Sequence, residues 1–389
     1  MITVQLDIGS PPAPRPYSCT GRPTRTTIPR QGVPAVNEST SDAPRPTSSA
    51  SDRSLTRRHF WQLGTAAALG TGAAVLLPGQ ATGATEARSR TSQYYFDRAA
   101  RLAGDNPILT DLVAGLAAGF SIPFPPAPAP LKIFDDVAVV SIGFVSATAI
   151  LTSDGIILID ALTSPADVQQ TLVPGLRALA LDPSTIKYVV VCHAHGDHFG
   201  GAQYLADTYG TRVLMAPADW EMIAANRPAN APTRDLDITD GQRLTLGNTT
   251  VTLHHTPGHT PGSVSPIFPV RWHGKAHRAM LWGGTNPPAA TADKQTYLAS
   301  ALAFASRMRR AGVDVELSNH GFCDHGLARI EEVRASPDSR DNPFVVGTSG
   351  AQRFMKVMEN MLRGRILLDQ ESTATATATA ATPAAACGC

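Results

Sequence analysis

One segment constrains this chain more than any other. The apolar run Ile186–Cys192 leads directly into His193-Ala194-His195-Gly196-Asp197-His198, and a helix is expected from about Phe199. A run with no polar alternation is expected of a strand buried on both faces, as in the parallel part of an α/β sheet. Gly196 gives the turn after it backbone freedom. Alternation along an extended chain puts His193 and His195 on one side, so the two can share one ion. Asp197 and His198, past the turn, can face a second ion. Imidazole and carboxylate are zinc ligands, and the carboxyl end of a strand is where open α/β sheets place their sites.

Two later histidines repeat the arrangement. Thr256-Pro257-Gly258-His259-Thr260-Pro261-Gly262-Ser263 is a tight loop whose Pro-Gly steps hold His259 in a fixed pose. Glu316-Leu317-Ser318-Asn319-His320-Gly321 places His320 directly after a short strand. His325 is the rival for that last position, and His320 is favoured because it follows the strand immediately. His254 and His255 lie on a strand and read as core or supporting groups, and His273 and His277 fall in a polar hairpin. Cys192 reads as a small buried residue; Phe199 and Trp220 fit either a cleft wall or the core.

The flanking elements alternate. Strands are expected at 137–142, 147–151, 156–159, 186–192, 212–215, 243–246, 250–255, 263–268, 279–282 and 313–317. Helices are expected at 166–181, 199–209, 294–311, 326–335 and 347–365, the first from the spacing of Val168, Leu172, Leu176 and Leu179. Strands before and between helices, in two similar halves, imply two sheets packed face to face under outer helices.

At this point the chain resembles the metallo-β-lactamase superfamily. The shared pattern is His-x-His-x-Asp-His, then Thr-Pro-Gly-His, then a histidine at a late strand end, over about residues 130–340. Gly155–Asp160 is similar to an early strand of that fold. The resemblance implies an α/β fold, an αββα sandwich of two mixed β-sheets flanked by helices. It implies two zinc ions per chain, one held by His193, His195 and His259 and the other by Asp197, His198 and His320. Asp197 would also be catalytic, and Asp160 would orient a ligand. Many members carry a metal-bridging Asp where this chain has Gly284-Thr285, and two lactamase subclasses use a Cys. Lacking both, and keeping His198 beside Asp197, the chain resembles the third subclass of zinc β-lactamases. The implied activity is opening of a cyclic amide of the β-lactam kind by a zinc-bound hydroxide. Hydrolysis of another ester, lactone or thioester, and a non-catalytic zinc-binding role, stay open. Asn286-Pro287-Pro288 and Asn319–Asp324 depart from the established lactamases.

The ends read differently. Residues 1–53 are rich in Pro, Ser, Thr and Arg and are expected to be disordered; a start codon further downstream accounts for them equally well. Residues 54–84 resemble a twin-arginine signal: Arg57-Arg58 precede an uncharged run from Leu63 to Leu77, with Ala81 or Ala84 as the cleavage edge. That run is too short to span a roughly 30 Å hydrocarbon layer. The expected product is an exported protein, periplasmic or extracellular, delivered by the twin-arginine machinery without a stable membrane span in the mature form. Residues 85–366 form the expected hydrolase domain, and 367–389 a low-complexity tail. The net charge of +1 and scattered basic residues argue against nucleic acid as the main partner, and the resemblance implies a small-molecule substrate. Five cysteines (Cys19, Cys192, Cys323, Cys387 and Cys389) have no zinc-ribbon spacing, and the sequence leaves open whether Cys323 pairs.

Overall fold

Successive residues of the central strands feed two different cores, and this alternation builds the layers. In strand β4 (Gly155–Ile159), Ile157 and Ile159 join one buried cluster while Ile156 and Leu158 join another. Strand β5 (Ile186–Val190) divides in the same way, Val190 to one side and Val189 to the other. Both faces of this sheet are therefore covered, as the apolar run before His193 implies.

The computed structural model describes residues 90–380, with side chains through 375. The expected disordered extension and the twin-arginine segment lie outside these residues. The first sheet has seven strands in sequence order: β1 (Leu131–Phe134), β2 (Val137–Ser141), β3 (Ser146–Thr152), β4, β5, β6 (Arg212–Met215) and β7 (Leu236–Asp237). It is antiparallel from β1 to β4 and parallel from β4 to β7. The second sheet comprises β8 (Gln242–Leu246), β9 (Thr249–His255), β10 (Val264–Trp272), β11 (Lys275–Trp282) and β12 (Val315–Ser318), with β12 parallel to β11 and the rest antiparallel.

The helices are α1 (Ser92–Ala103), α2 (Pro107–Gly115), α3 (Pro165–Asp167), α4 (Val173–Ala178), α5 (Gly196–Phe199), α6 (Ala202–Tyr209), α7 (Pro217–Asn226), α8 (Thr291–Ala311), α9 (Gly326–Ala335) and α10 (Gly347–Ala380). One core, with Ile157, Val190, Phe268 and Leu281, lies between the sheets. A second, with Leu172, Leu176, Leu205 and Trp220, packs helices on the outer face of the first sheet. A third, with Met280, Trp282, Phe304 and Leu362, packs α1, α2, α8 and α10 on the second. The architecture is the αββα sandwich of two mixed sheets that the strand pattern implies.

Two details differ from the sequence reading, and the thiol state that it left open for Cys323 is visible. The helix expected at 166–181 is broken into α3, a π turn at Val168–Leu172 and α4. Pro174 lies just after that turn and lacks the N–H an uninterrupted helix needs. Helix α10 runs to Ala380, so the boundary expected at 366 falls inside it. Two side chains past that point anchor it: Asp369 pairs with buried Lys294 at 2.6 Å, and Glu371 accepts from the Ser92 backbone N–H at 2.9 Å. Cys192 and Cys323 are both buried free thiols.

Candidate metal centre

Every sequence-selected ligand arrives at one rim of the sandwich, by two routes. His193, His195, Asp197 and His198 leave the end of β5 and enter α5, with His195 as its N-cap. His259 comes from the β9–β10 loop and His320 from just beyond β12. The donor atoms of His193, His195 and His259 lie within 4.8 Å of one another, and so do those of Asp197, His198 and His320. His325 is not in either group; it bonds Asp111 at 2.9 Å.

The donor chemistry of these residues fits zinc. Four imidazoles are held by their outer nitrogens: His193 Nδ1 donates to the Gly283 carbonyl at 2.6 Å and His259 Nδ1 to that of Asn286 at 2.6 Å. His320 Nδ1 donates to the Phe144 carbonyl at 2.7 Å, and His198 Nδ1 to Asp160 Oδ2 at 2.7 Å. A neutral imidazole that donates through Nδ1 presents an unprotonated Nε2, the form that ligates a metal. His259 Nε2 faces His193 Nε2 at 3.1 Å and His195 Nδ1 at 3.0 Å. With both Nδ1 atoms donating elsewhere, the His193 and His259 Nε2 lone pairs oppose each other, an arrangement that a cation between them would relieve. In the second group, His198 Nε2 is buried without a hydrogen-bond partner among the described residues, 3.2 Å from Asp197 Oδ2 but outside bonding geometry. An orphaned buried nitrogen beside a carboxylate fits a site that a cation would satisfy.

The electrostatics divide the two groups. Burial and the neighbouring imidazoles push His193 well below its usual value and His259 down to about 3. Against the pull of burial, Asp197 and Asp160 raise His198 to about 10. Against its own burial, Asp197 is held well below the usual carboxylate range by His198 and His320. The first group is thus a neutral nitrogen trio, and the second carries charge of both signs.

Supporting residues fix these poses. Asp160 is fully buried with φ 61°, and accepts from Cys192 N–H at 2.8 Å, His198 Nδ1, and Asn319 Nδ2 at 3.1 Å. It fixes the orientation of the His198 ring. The sequence reading missed Asp219. This buried carboxylate in the first turn of α7 accepts from Ala194 N–H (2.8 Å), Thr260 Oγ1 (2.7 Å) and Gly262 N–H (2.7 Å), tying the two ligand loops together. Its only sequence signal was an acidic residue in a helical first turn after Pro217. Asn319 was missed as well.

The absence of an acid at Gly284-Thr285 has a packing reason. A Cβ on Gly284 would lie 2.6 Å from the His259 ring. The strand end is also locked, since Tyr297 Oη donates to the carbonyls of Gly284 at 2.6 Å and Thr285 at 2.8 Å.

Beside His195 and His259 opens a cleft of about 510 Å³, walled by Phe120, Pro287, Pro288 and Arg365. On the His320 side, Phe144 stacks on the imidazole at a centroid distance of 6.3 Å and Phe322 lies tilted against it at 5.4 Å. Phe199 and Trp220 belong to the core. His254, His255 and His277 bond Arg307, the Ile238 carbonyl and Asp314, away from both groups.

Comparison with known proteins agrees with this geometry. Residues 140–271 match the family model of the metallo-β-lactamase superfamily. An uncharacterised protein of Mycobacterium leprae is 36% identical over 112 residues, covering 25% of this chain and 51% of its own length. The hydroxyacylglutathione hydrolase of Acidiphilium cryptum is 32% identical over 108 residues, covering 28% of this chain and 40% of its own length. The chain therefore spans about half the length, or less, of these curated relatives. A mutant of the metallo-β-lactamase of Legionella gormanii superposes with TM-score 0.53 at 25% identity, covering 66% of this chain and 100% of that one. A subclass B3 metallo-β-lactamase of Bradyrhizobium japonicum superposes with TM-score 0.52 at 21% identity, over 65% and 96%, and shows the shared fold. Motif spacing, sheet order, paired donor groups and these matches agree that residues 140–271 form a domain of the metallo-β-lactamase superfamily.

Proposed function

We propose that this protein is an exported dizinc hydrolase that opens a cyclic amide of the β-lactam class. The observation that carries the reading is the pair of adjacent donor groups whose outer nitrogens are pinned and whose inner nitrogens converge. His193, His195 and His259 would hold one zinc, and Asp197, His198 and His320 the other. Bound zinc supplies Lewis acidity toward a carbonyl oxygen and lowers the pKa of water to about 7. Asp197, a quarter exposed beside buried His198, is placed to accept a hydrogen bond from the attacking water and orient it. Phe120, Pro287 and Pro288 wall the cleft beside His259 and screen the reacting carbonyl from bulk water.

A second reading, hydrolysis of an ester, lactone or thioester, is favoured by the hydroxyacylglutathione hydrolase among the relatives. Turnover of a chromogenic cephalosporin against lactone and thioester panels separates the two. No lactam turnover by zinc-loaded protein rejects the first. A non-catalytic zinc-binding role predicts bound zinc but no hydrolysis for Asp197→Ala to abolish. Export rests on Arg57-Arg58 and the apolar run behind them. No helix among the described residues is long and apolar enough to cross a membrane. Replacing both arginines with lysine and fractionating the cells tests the route.

A further inference from the structure

The outer face of the second sheet carries a groove in which cations gather with little to balance them. It is about 370 Å³, lies toward the end of α8, and is lined by Arg243 from β8, His254 from β9, Arg278 from β11, and Arg307 and Arg310 from α8. Arg278 is five residues before Gly283, so roughly 17 Å of strand separates the groove from the metal rim.

The pairing pattern is unlike that of other arginines in the molecule. Arg212, Arg234, Arg334 and Arg363 each have a carboxylate partner. In the groove only Arg307 does, holding Asp240 through both terminal nitrogens at 2.6 and 2.7 Å. Asp240 is occupied further by the His255 backbone N–H at 2.9 Å. Asp314 lies alongside, but its carboxylate accepts from His277 and from the Arg278 backbone N–H, not its side chain. The Arg310 guanidinium reaches Ser306 Oγ at 2.7 Å, and the side chains of Arg243 and Arg278 have no ion-pair partner among the described residues. Four guanidinium groups so placed repel one another, and the chain's net charge of only +1 does not force the concentration.

The lining is also one-sided in hydrogen bonding. His254 Nδ1 accepts from Arg307 Nη1 at 3.0 Å, which leaves Nε2 as the ring donor. With Asp240 engaged, the groove offers N–H groups and the Thr252 hydroxyl. A concave, donor-rich surface built on arginine forks matches an oxyanion in geometry as well as charge.

We infer that this groove is a binding site for a compact phosphate-bearing ligand, separate from the metal centre. Calorimetric titration of the zinc-loaded protein at constant ionic strength, with chloride as the balancing salt, tests it. The probes are pyrophosphate, a nucleoside monophosphate and a single-stranded oligonucleotide. The expected result is saturable one-to-one binding of pyrophosphate or the monophosphate, weakened at least tenfold by Arg278→Gln with Arg310→Gln, with zinc content and hydrolysis unchanged. Arg310→Gln alone, on the exposed last turn of α8, keeps the test readable if the double variant does not fold. Binding that survives these substitutions, or that chloride abolishes stoichiometrically, overturns the inference. Oligonucleotide binding that strengthens with length while the small phosphates do not bind overturns it too, because it reports a surface for polyanions.

Discussion

Asp160 Oδ2 and His198 Nδ1 are 2.7 Å apart, and neither side chain is exposed. The same carboxylate accepts from the Cys192 backbone and from Asn319, so a single acid sets the end of β5, one imidazole and the strand end before His320. Asp160→Asn turns an amide N–H toward groups that already donate. Zinc affinity should fall about 10- to 100-fold, the usual cost of removing an acceptor behind a ligating histidine. Competition with a chromophoric chelator reads the change, and unaltered affinity would show that His198 needs no such partner.

Asp219 has a different role, since it touches backbone and hydroxyl groups and no imidazole. Asp219→Ala leaves buried donors on Ala194, Thr260 and Gly262 without an acceptor. Each orphaned donor costs about 1–3 kcal/mol. A melting temperature lower by at least roughly 6 °C is expected, taking about 2 °C per kcal/mol for a domain of this size. Zinc should be lost from the His259 group first, and metal analysis of the variant checks the order.

Gly284→Asp is not expected to install the bridging acid that the superfamily resemblance associates with this strand end. Its Cβ would press on the His259 side chain, within 2.6 to 2.8 Å of two ring atoms and the His259 Cβ. The variant should hold about one zinc per chain instead of two, measured by elemental analysis. Two tightly bound ions with higher activity would refute this account of the missing acid.

Arg365 lines the cleft beside His195 and His259, donates to the Leu116 carbonyl at 2.9 Å, and has no carboxylate within ion-pairing distance among the described residues. If the hydrolase reading holds, Arg365→Gln should raise KM about tenfold for substrates bearing a carboxylate, the loss of one charge-assisted hydrogen bond of about 1.5 kcal/mol. KM for the matching methyl esters should not move, and steady-state kinetics on both series decides.

Behind β12, Glu316 and Asp324 share one guanidinium, that of Arg329, and all three are buried. Burial and the charge of Asp324 push Glu316 up to about 8 against the pull of Arg329. Burial pushes Asp324 up to about 6, again opposed by Arg329. A carboxyl raised on folding binds more protons in the folded state than in the unfolded one. Its contribution to stability is complete below the unfolded value of about 4 and is lost as pH rises through the folded one. Thermal stability should therefore decline between about pH 5 and 8, and Glu316→Gln should flatten that slope in a pH series of melting curves.

Which features the sequence revealed follows from how each is encoded. The six candidate metal residues are local patterns at strand ends, and the fold gathers them into two groups of three. The two cores on the first sheet were legible from uninterrupted runs such as Ile186–Cys192. By contrast, β1, β7, α1, α2 and α7 were not read, because Leu131–Phe134 and Leu236–Asp237 are too short to show a period. Asp219 and Asn319 act through contacts with loops far away in sequence. Arg243, Arg278, Arg307 and Arg310 look scattered along the chain, and only the pairing of β8 through β11 beneath α8 collects them. The tail beyond Glu371 reads as low complexity by composition, yet alanine favours helix and α10 continues into it as far as Ala380.

The Ser92–Glu371 contact joins positions 279 residues apart. It fastens the start of α1 to the end of α10, and both helices cover the outer face of the second sheet. That covering cannot close until residue 371 has left the ribosome, so the first helix of the described chain must wait for the last. An apolar face bearing Met280 and Trp282 stays open meanwhile, and a chain truncated before α10 would present it permanently to chaperones and proteases.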